Sequence, residues 1–313
     1  MKVFLTGATG FVGRHMLNRL LQEGHFVRAL ARDPSAMSGI QHGRLEVVPG
    51  DTVEGKGLAE GMNGCTAVIH LVGVIAEVGS ATYERVHSQG TRNVVEEAKK
   101  QSISRFVQMS ALGARADGVS GYQTTKWKAE EAVRHSGIPY CILRPSLIFG
   151  AGAAGMNGGP GGPAEGFVSQ MLDVMRKAPL VRPVPGDGLP KFRPVNVSDV
   201  AMCFVRALTC EAATGRTIEL GGAEELTLNE ILSLVARCAG VGKPAFHVPM
   251  PIMLAIAIIA QALSKQPPVT VGQLRMLKEG STCDIRSMME TFDITPVGFR
   301  EGLPKYLRAA ASV

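Results

Sequence analysis

Short apolar runs alternate with longer mixed segments along the first half of the chain. The pattern predicts strands over residues 2–6, 26–31, 45–48, 67–71, 103–109 and 139–144. Between them it predicts helices over 11–22, 82–100 and 122–134. The first helix ends before Gly24, and Val86, Val94, Val95 and Ala98 supply an apolar face to the second. Strands this short, alternating with helices, predict an α/β fold of the Rossmann type: a doubly wound parallel sheet with helices on both faces.

The pattern changes after Gly150. Residues 150–166 hold eight glycines, two prolines and no tryptophan or tyrosine, so they cannot build core and read as a loop. Their place after the sixth strand sets them at the carboxyl edge of the sheet, where ligands bind in such folds; a surface insertion is the alternative. Strands over 192–197 and 217–220 and helices over 200–208, 227–239, 252–263 and 269–277 follow. The expected division is a dinucleotide-binding domain over 1–150, with 179–221 threaded back onto it. Residues 151–178 and 222–313 would form a smaller, mixed substrate-binding region.

Residues 251–263 are the greasiest stretch and fall short of the roughly 20 residues a spanning helix needs. A buried helix packed on the Rossmann core is the first expectation. A lining for a hydrophobic substrate is the second. Peripheral membrane contact through 250–263, flanked by Lys243 and Lys265, is the third.

Composition narrows the classes. With 45% apolar and 19% charged residues over 313 positions, disorder and coiled coil are excluded. The net charge of +6 is scattered, and the longest basic run is Lys99-Lys100, so no nucleic-acid partner is expected. The six cysteines form no CxxC pair and read as buried free thiols of a reducing compartment. The seven histidines show no ligand spacing, so no metal is expected. The N-terminus reads as lacking a secretory signal, which gives a cytoplasmic expectation, with a membrane-peripheral one beside it.

The first chemistry lies at Thr6-Gly7-Ala8-Thr9-Gly10-Phe11-Val12-Gly13, between a strand and a helix. Gly7 permits a tight turn, Gly10 lets the backbone approach a pyrophosphate, and Gly13 lets helix and strand pack closely. The helix N-terminus adds free N–H groups and a positive dipole end. Cofactor choice is written at the end of the second strand. Ala31 stands where an NAD site usually carries a carboxylate, and Arg32 follows. A guanidinium suits a 2′-phosphate, with Arg14 able to assist, so NADP(H) is favoured. NAD(H), with Asp33 on the ribose, is the alternative.

The second chemistry is Tyr122 and Lys126, a YxxxK spacing that puts both heads on one helix face. A nearby ammonium favours the phenolate and should lower the tyrosine pKa. The tyrosine then exchanges a proton with an alcohol or carbonyl while hydride moves to or from the cofactor. Lys126 can also bind the nicotinamide ribose. Ser110 closes the fifth strand and can hold the substrate oxygen. Asp199 reads as the cap of the helix after it. Arg144 and Arg193 read equally as structural ion pairs or phosphate ligands.

These motifs resemble the extended or atypical short-chain dehydrogenases/reductases. The resemblance also rests on Gly50-Asp51, His70-Leu71-Val72-Gly73, Gly90-Thr91-Arg92-Asn93, Leu143-Arg144-Pro145-Ser146 with Phe149-Gly150, and Pro194 to Val200. It covers most of the chain. The pattern is most similar to bacterial relatives of the dehydrogenase-like accessory subunit of respiratory complex I, often labelled epimerase/dehydratase. It implies that Gly7, Gly10 and Gly13, with Thr9, Phe11 and Val12, hold the cofactor phosphates. Asp51 would sit near adenine, Leu71, Val72 and Gly73 along the cofactor, and Pro145 and Ile148 near nicotinamide. Ser110, Tyr122 and Lys126 would be catalytic. Many extended members carry Asn where this chain has His87, and the gap from Ser110 to Tyr122 is shorter than usual. An oxidoreductase acting on an apolar or nucleotide-linked small molecule is the first expectation. A non-catalytic NAD(P)H-binding subunit or a nucleotide-sugar epimerase/dehydratase is the alternative. Monomer and homodimer are both compatible.

Overall fold

The computed structural model describes residues 1–150, 166–264, 267 and 269–311. Seven strands form the central sheet: β1 (Lys2–Thr6), β2 (Phe26–Ala31), β3 (Leu45–Pro49), β4 (Ala67–His70), β5 (Arg105–Met109), β6 (Tyr140–Pro145) and β7 (Arg216–Leu220). Their order is β7-β6-β5-β4-β1-β2-β3, and every neighbour is parallel. The strand order reverses between β1 and β4, which fixes the ligand crevice of a doubly wound sheet at their carboxyl ends.

The strands are apolar on both faces because both faces are covered. Along β1, Val3 and Leu5 enter one core cluster and Phe4 enters the other. Phe106 and Val107 of β5 and Ile142 and Leu143 of β6 divide in the same way. This period of two with no polar partner is the signature of a parallel sheet between helical layers. On one side pack α2 (Leu58–Met62), α3 (Gly90–Lys100) and α4 (Gly121–Arg134). On the other lies α1 (Phe11–Gln22), whose Met16, Leu17, Leu20 and Leu21 are buried.

Beyond β6 the helices are α5 (Phe167–Lys177), α6 (Val197–Ala207), α7 (Leu228–Cys238), α8 (Met250–Leu263), α9 (Val271–Glu279), α10 (Arg286–Phe292) and α11 (Phe299–Ala311). Phe204 of α6 and Met288 and Phe292 of α10 join the α1 face of the sheet. A separate core gathers Phe149, Leu172, Ile231, Val235, Phe299 and Leu303. Arg182–Pro185 pairs with Ala245–Val248, outside the seven-stranded sheet. Thus β7, α6 and α10 return to the Rossmann body, while Arg182–Pro185 does not.

Several expectations need correction. The strand expected over 192–197 is two short pieces, Lys191–Phe192 and Val195–Asn196. Asn196 then caps α6 through the Ser198 N–H, so the helix starts three residues early. Asp199 is not that cap: it is buried and accepts a hydrogen bond from the Val297 N–H at 2.8 Å. The helix expected over 82–100 opens with a π-turn, Glu84–Gln89, before α3 begins. The thiols of Cys65, Cys141 and Cys203 are buried and free, but Cys238 is exposed. The glycine-rich stretch from 151 to 165 lies outside the described residues.

The largest correction concerns α8, which does not pack into the core. Only Ala257 is buried, and Ile252, Ile256, Ile258, Ile259 and Leu263 are about half or more exposed. Among the described residues no helix is long and apolar enough to cross a membrane.

Arg144 is a structural residue. Its Nε and Nη2 donate to the two carboxylate oxygens of Glu130, both at 2.7 Å. Arg134 donates to the same carboxylate, which is fully buried. Two guanidiniums on one buried carboxylate tie α4 to β6. Removing the central charge strands Arg144, while Arg134 keeps Glu131 and Thr217, so Glu130→Ala should cost about 3 kcal/mol and lower Tm by roughly 5 °C. Thermal melting reads this directly, and an unchanged Tm would rule out a stabilising role for the triad.

Candidate active site

The glycine loop follows β1 at the point where strand order reverses. Gly7 has φ +77, and a Cβ there would meet Leu71 and Val72 at 3.2 Å. Gly13 is packed harder still: its Cβ would lie 1.9 Å from the Gly7 carbonyl oxygen. Gly10 differs, because the nearest atom to its Cβ would be 3.4 Å away. Two glycines therefore serve chain packing, and the third leaves the mouth of the loop clear. Gly10 caps α1 without a side-chain bond, and no acidic residue occupies the first turn. Free N–H groups and an unopposed dipole at this twelve-residue helix suit a diphosphate. Thr9, Phe11 and Val12 are half-buried around it, and Arg14 Nε donates to the Thr9 carbonyl.

Arg32 is exposed just past the end of β2. Asp33 is committed elsewhere: its Oδ1 accepts from the N–H and hydroxyl of Ser35, capping a short turn. Asp51 likewise accepts from the Val53 N–H at 2.6 Å, and Asn93 braces that turn through the Thr52 and Val53 carbonyls. Pro145 ends β6 and accepts from the Leu112 N–H, while Ile148 pairs with Val195 beside it.

Lys126 is buried on α4, and its Nζ donates to the Met109 carbonyl at 3.3 Å. That bond seats the ammonium beside Ser110, the next residue along. Ser110 continues the ladder through its N–H to Leu143, but its buried Oγ has no partner among the described residues. A buried hydroxyl without a partner costs about 1–3 kcal/mol, and Ser88 Oγ and Gln108 Oε1 are unpartnered in the same way. Tyr122 sits one turn before Lys126, with Nζ 6.0 Å from its ring centre. Gly73 closes the group: a Cβ there would fall 2.8 Å from Lys126 Nζ and 3.4 Å from His87 Nε2. The structure thus brings Ser110, Tyr122, Lys126 and Gly73 together, next to the loop that Leu71 and Val72 support.

The expected lowering of the Tyr122 pKa is not met by the chain's own groups. Burial, with the Tyr83 phenol against it, pushes Tyr122 up to about 12. Burial also lowers Lys126 to about 8. Both groups are driven toward their neutral forms.

Sequence reasoning missed the polar frame around this cluster. His70 is fully buried between Thr6 Oγ1 (2.6 Å) and Thr91 Oγ1 (3.1 Å), pinning β4 to β1 and α3. His87 projects from the π-turn. The Val74 N–H donates to its Nε2 at 3.0 Å, so Nδ1 carries the proton and donates to Thr125 Oγ1 at 2.9 Å. The Thr125 hydroxyl in turn donates a hydrogen bond to the Gly121 carbonyl at 2.6 Å. Tyr83 stacks on His87 at 5.5 Å, and Tyr122 meets it edge-on at 5.3 Å. His87 therefore braces the tyrosine rather than standing free as a proton relay. The YxxxK helix held a signal for Thr125, but no periodicity distinguishes a π-turn from an α-turn.

A family described as NAD(P)H-binding matches residues 7–167. The chain is 35% identical over 150 residues to the ceramide reductase of Caulobacter vibrioides, with 48% of this chain and 47% of that one covered. The match thus spans about half the length of that relative. The chain is 24% identical to 3beta-hydroxysteroid-dehydrogenase/decarboxylase isoform 1 of Arabidopsis thaliana, covering 96% of this chain and 77% of that one. It is 29% identical to the mitochondrial NADH dehydrogenase (ubiquinone) 1 alpha subcomplex subunit 9 of the same plant, covering 80% and 61%. Among solved structures, the UDP-glucuronic acid 4-epimerase of Bacillus cereus, held with NAD, superposes with a TM-score of 0.76 at 18% identity, covering 100% and 99%.

Burial holds His70 and His87 neutral, with pKa values lowered to about 3 and about 2. In the unfolded chain each would titrate near the ordinary 6.5. Below that value only the unfolded state gains protons. Stability is therefore complete above pH 6.5 and is lost as pH falls toward the folded values. At about pH 5 each ring should contribute roughly 2 kcal/mol of loss. Tm measured against pH should fall across this window, and His87→Asn should flatten the fall. An equally steep curve for the variant would show that His87 is not the titrating group.

Proposed function

Because the chain belongs to the NAD(P)H-binding family of Rossmann-type, epimerase/dehydratase-like proteins, we propose that it is an NADP(H)-dependent reductase of an apolar, lipid-like carbonyl compound, with Tyr122 as proton donor. The observation that carries this reading is the buried, unpartnered Ser110 Oγ, on the residue that follows the Met109 carbonyl to which Lys126 donates. It is a hydroxyl held ready for an oxygen that the chain itself does not supply.

Gly7, Gly10 and the N-terminus of α1 would bind the pyrophosphate, and Arg32 the 2′-phosphate. Asp51 would lie near adenine, with Leu71, Val72, Gly73, Pro145 and Ile148 along the remainder and Lys126 on the nicotinamide ribose. When bound, the reduced cofactor supplies hydride. Ser110 Oγ donates a hydrogen bond to the substrate carbonyl oxygen. Tyr122 transfers its phenolic proton to that oxygen, and the Lys126 ammonium offsets the phenolate left behind.

The substrate class draws support from the relatives, named for ceramide and 3β-hydroxysteroid chemistry. The solved epimerase shares the fold alone, and the short segment between Ser110 and Tyr122 leaves little chain to read a sugar.

Tyr122→Phe should lower turnover of a long-chain or steroid ketone by about 100-fold or more while NADPH affinity stays within about twofold. The measurement is NADPH oxidation beside a binding titration. NADPH bound without turnover of such ketones by the unaltered protein would favour the non-catalytic reading. Arg32→Asp should weaken NADPH binding by about 10- to 100-fold and favour NADH. Equal affinity of the unaltered protein for both cofactors would overturn the choice of NADP(H).

A further inference from the structure

The α8 helix carries an apolar surface that neither the candidate site nor the core uses. It carries no charge over fourteen residues. Ile252, Ile256, Ile259 and Leu263 recur at the spacing that aligns side chains on one helix face, and all are exposed, Leu263 by 84%. Met253, Leu254 and Ala260 are half-covered and Ala257 buried, so they mark the face turned toward the protein. Phe246 is exposed on the strand leading into the helix. A contiguous aliphatic stripe of this kind marks an interaction surface.

Charge identifies the occupant. No Asp or Glu occurs between Glu230 and Glu279, a stretch that contains all of α8 and α9 up to its last residue. The same stretch carries Arg237, Lys243, Lys265, Arg275 and Lys278. Lys243 is engaged in bonds to the Met175, Arg176 and Ala178 carbonyls at the end of α5. Arg237, Arg275 and Lys278 are exposed. A second copy placed on this face would bring like charges together. An anionic lipid surface would accept both the stripe and the basic flanks.

We propose that α8 is a membrane-surface docking helix that lies in the headgroup region of anionic lipid, with Ile252, Ile256, Ile259 and Leu263 inserted. Its position gives the docking a use. Gln261 and Ser264 at its end, with Arg275 of α9, line a cleft of about 550 Å³ that also touches Tyr83, Gly121 and Thr125, the residues packed around Tyr122, and that carries Glu77 and Glu84 on its wall. Docking sets the mouth of that cleft at the lipid surface. Lipid binding itself does not depend on the proposed reductase activity.

The test is flotation of the full chain with phosphatidylcholine vesicles, with and without phosphatidylglycerol. The expected result is binding to the phosphatidylglycerol vesicles that weakens as salt is raised. Ile256→Ser with Ile259→Ser should reduce it by at least about tenfold while NADPH binding is kept. Arg275→Glu with Lys278→Glu, on the neighbouring helix, should also reduce it and guards against a misfolded α8 variant. The proposal is overturned by any of four results. The unaltered protein binds neither vesicle, or it binds both alike. The folded α8 variant floats as before. Gel filtration shows a dimer that the α8 variant alone converts to monomer, which would make a second copy the occupant.

Discussion

Residue 13 has no room for a side chain: a Cβ there would sit 1.9 Å from the Gly7 carbonyl oxygen and 2.8 Å from Ala8 Cα. That contact forces the first turn of α1 onto the bend that leaves β1. The bend in turn rests on Leu71 and Val72, beyond the end of β4. Three segments therefore meet within van der Waals distance at the place where strand order reverses. The helix dipole and its unbonded N–H groups are aimed there as a consequence of packing. The following strand, β5, then brings Ser110 to the same edge, and α4 lays Lys126 over it.

The groups at this edge share one electrostatic condition. Burial lowers His70, His87 and Lys126 and raises Tyr122, so each is pressed toward its uncharged form. Neutral buried groups need hydrogen bonds rather than counter-ions, and the frame supplies them. Thr6 and Thr91 satisfy His70, and Val74 and Thr125 satisfy His87. The Ser110 hydroxyl has no such partner, and neither have Ser88 Oγ beside His87 and Gln108 Oε1 on β5. What sets Ser110 apart is its place, directly after the Met109 carbonyl that holds Lys126.

Much of the sheet was legible because a buried parallel strand leaves an unmistakable apolar run between turn residues. The loop was legible because glycine is the only residue that fits Gly7 and Gly13. Three features escaped for physical reasons. A π-turn and an α-turn share the same local composition, so the placement of His87 was hidden. Arg182–Pro185 and Ala245–Val248 pair across more than sixty positions, and short strands with exposed residues carry no period. Asp199 looked like a cap because it stands near a helix start, yet its carboxylate crosses to Val297, almost a hundred residues away.

α8 escaped for a different reason. A helix apolar on every side has no polar face to point at water, so its sequence reads as buried. The structure shows that the smaller core closes without it. Phe149, Ile231, Val235, Phe299 and Leu303 are all under 2% exposed, and none of them belongs to α8. Folding stability therefore does not account for the five large aliphatic side chains that α8 leaves in solvent. Each would gain on the order of 1.5–3 kcal/mol on full burial, a standing incentive to be covered. A chain that keeps such a stripe, free of acids and edged with basic residues, is better explained by what it meets outside the fold than by anything within it.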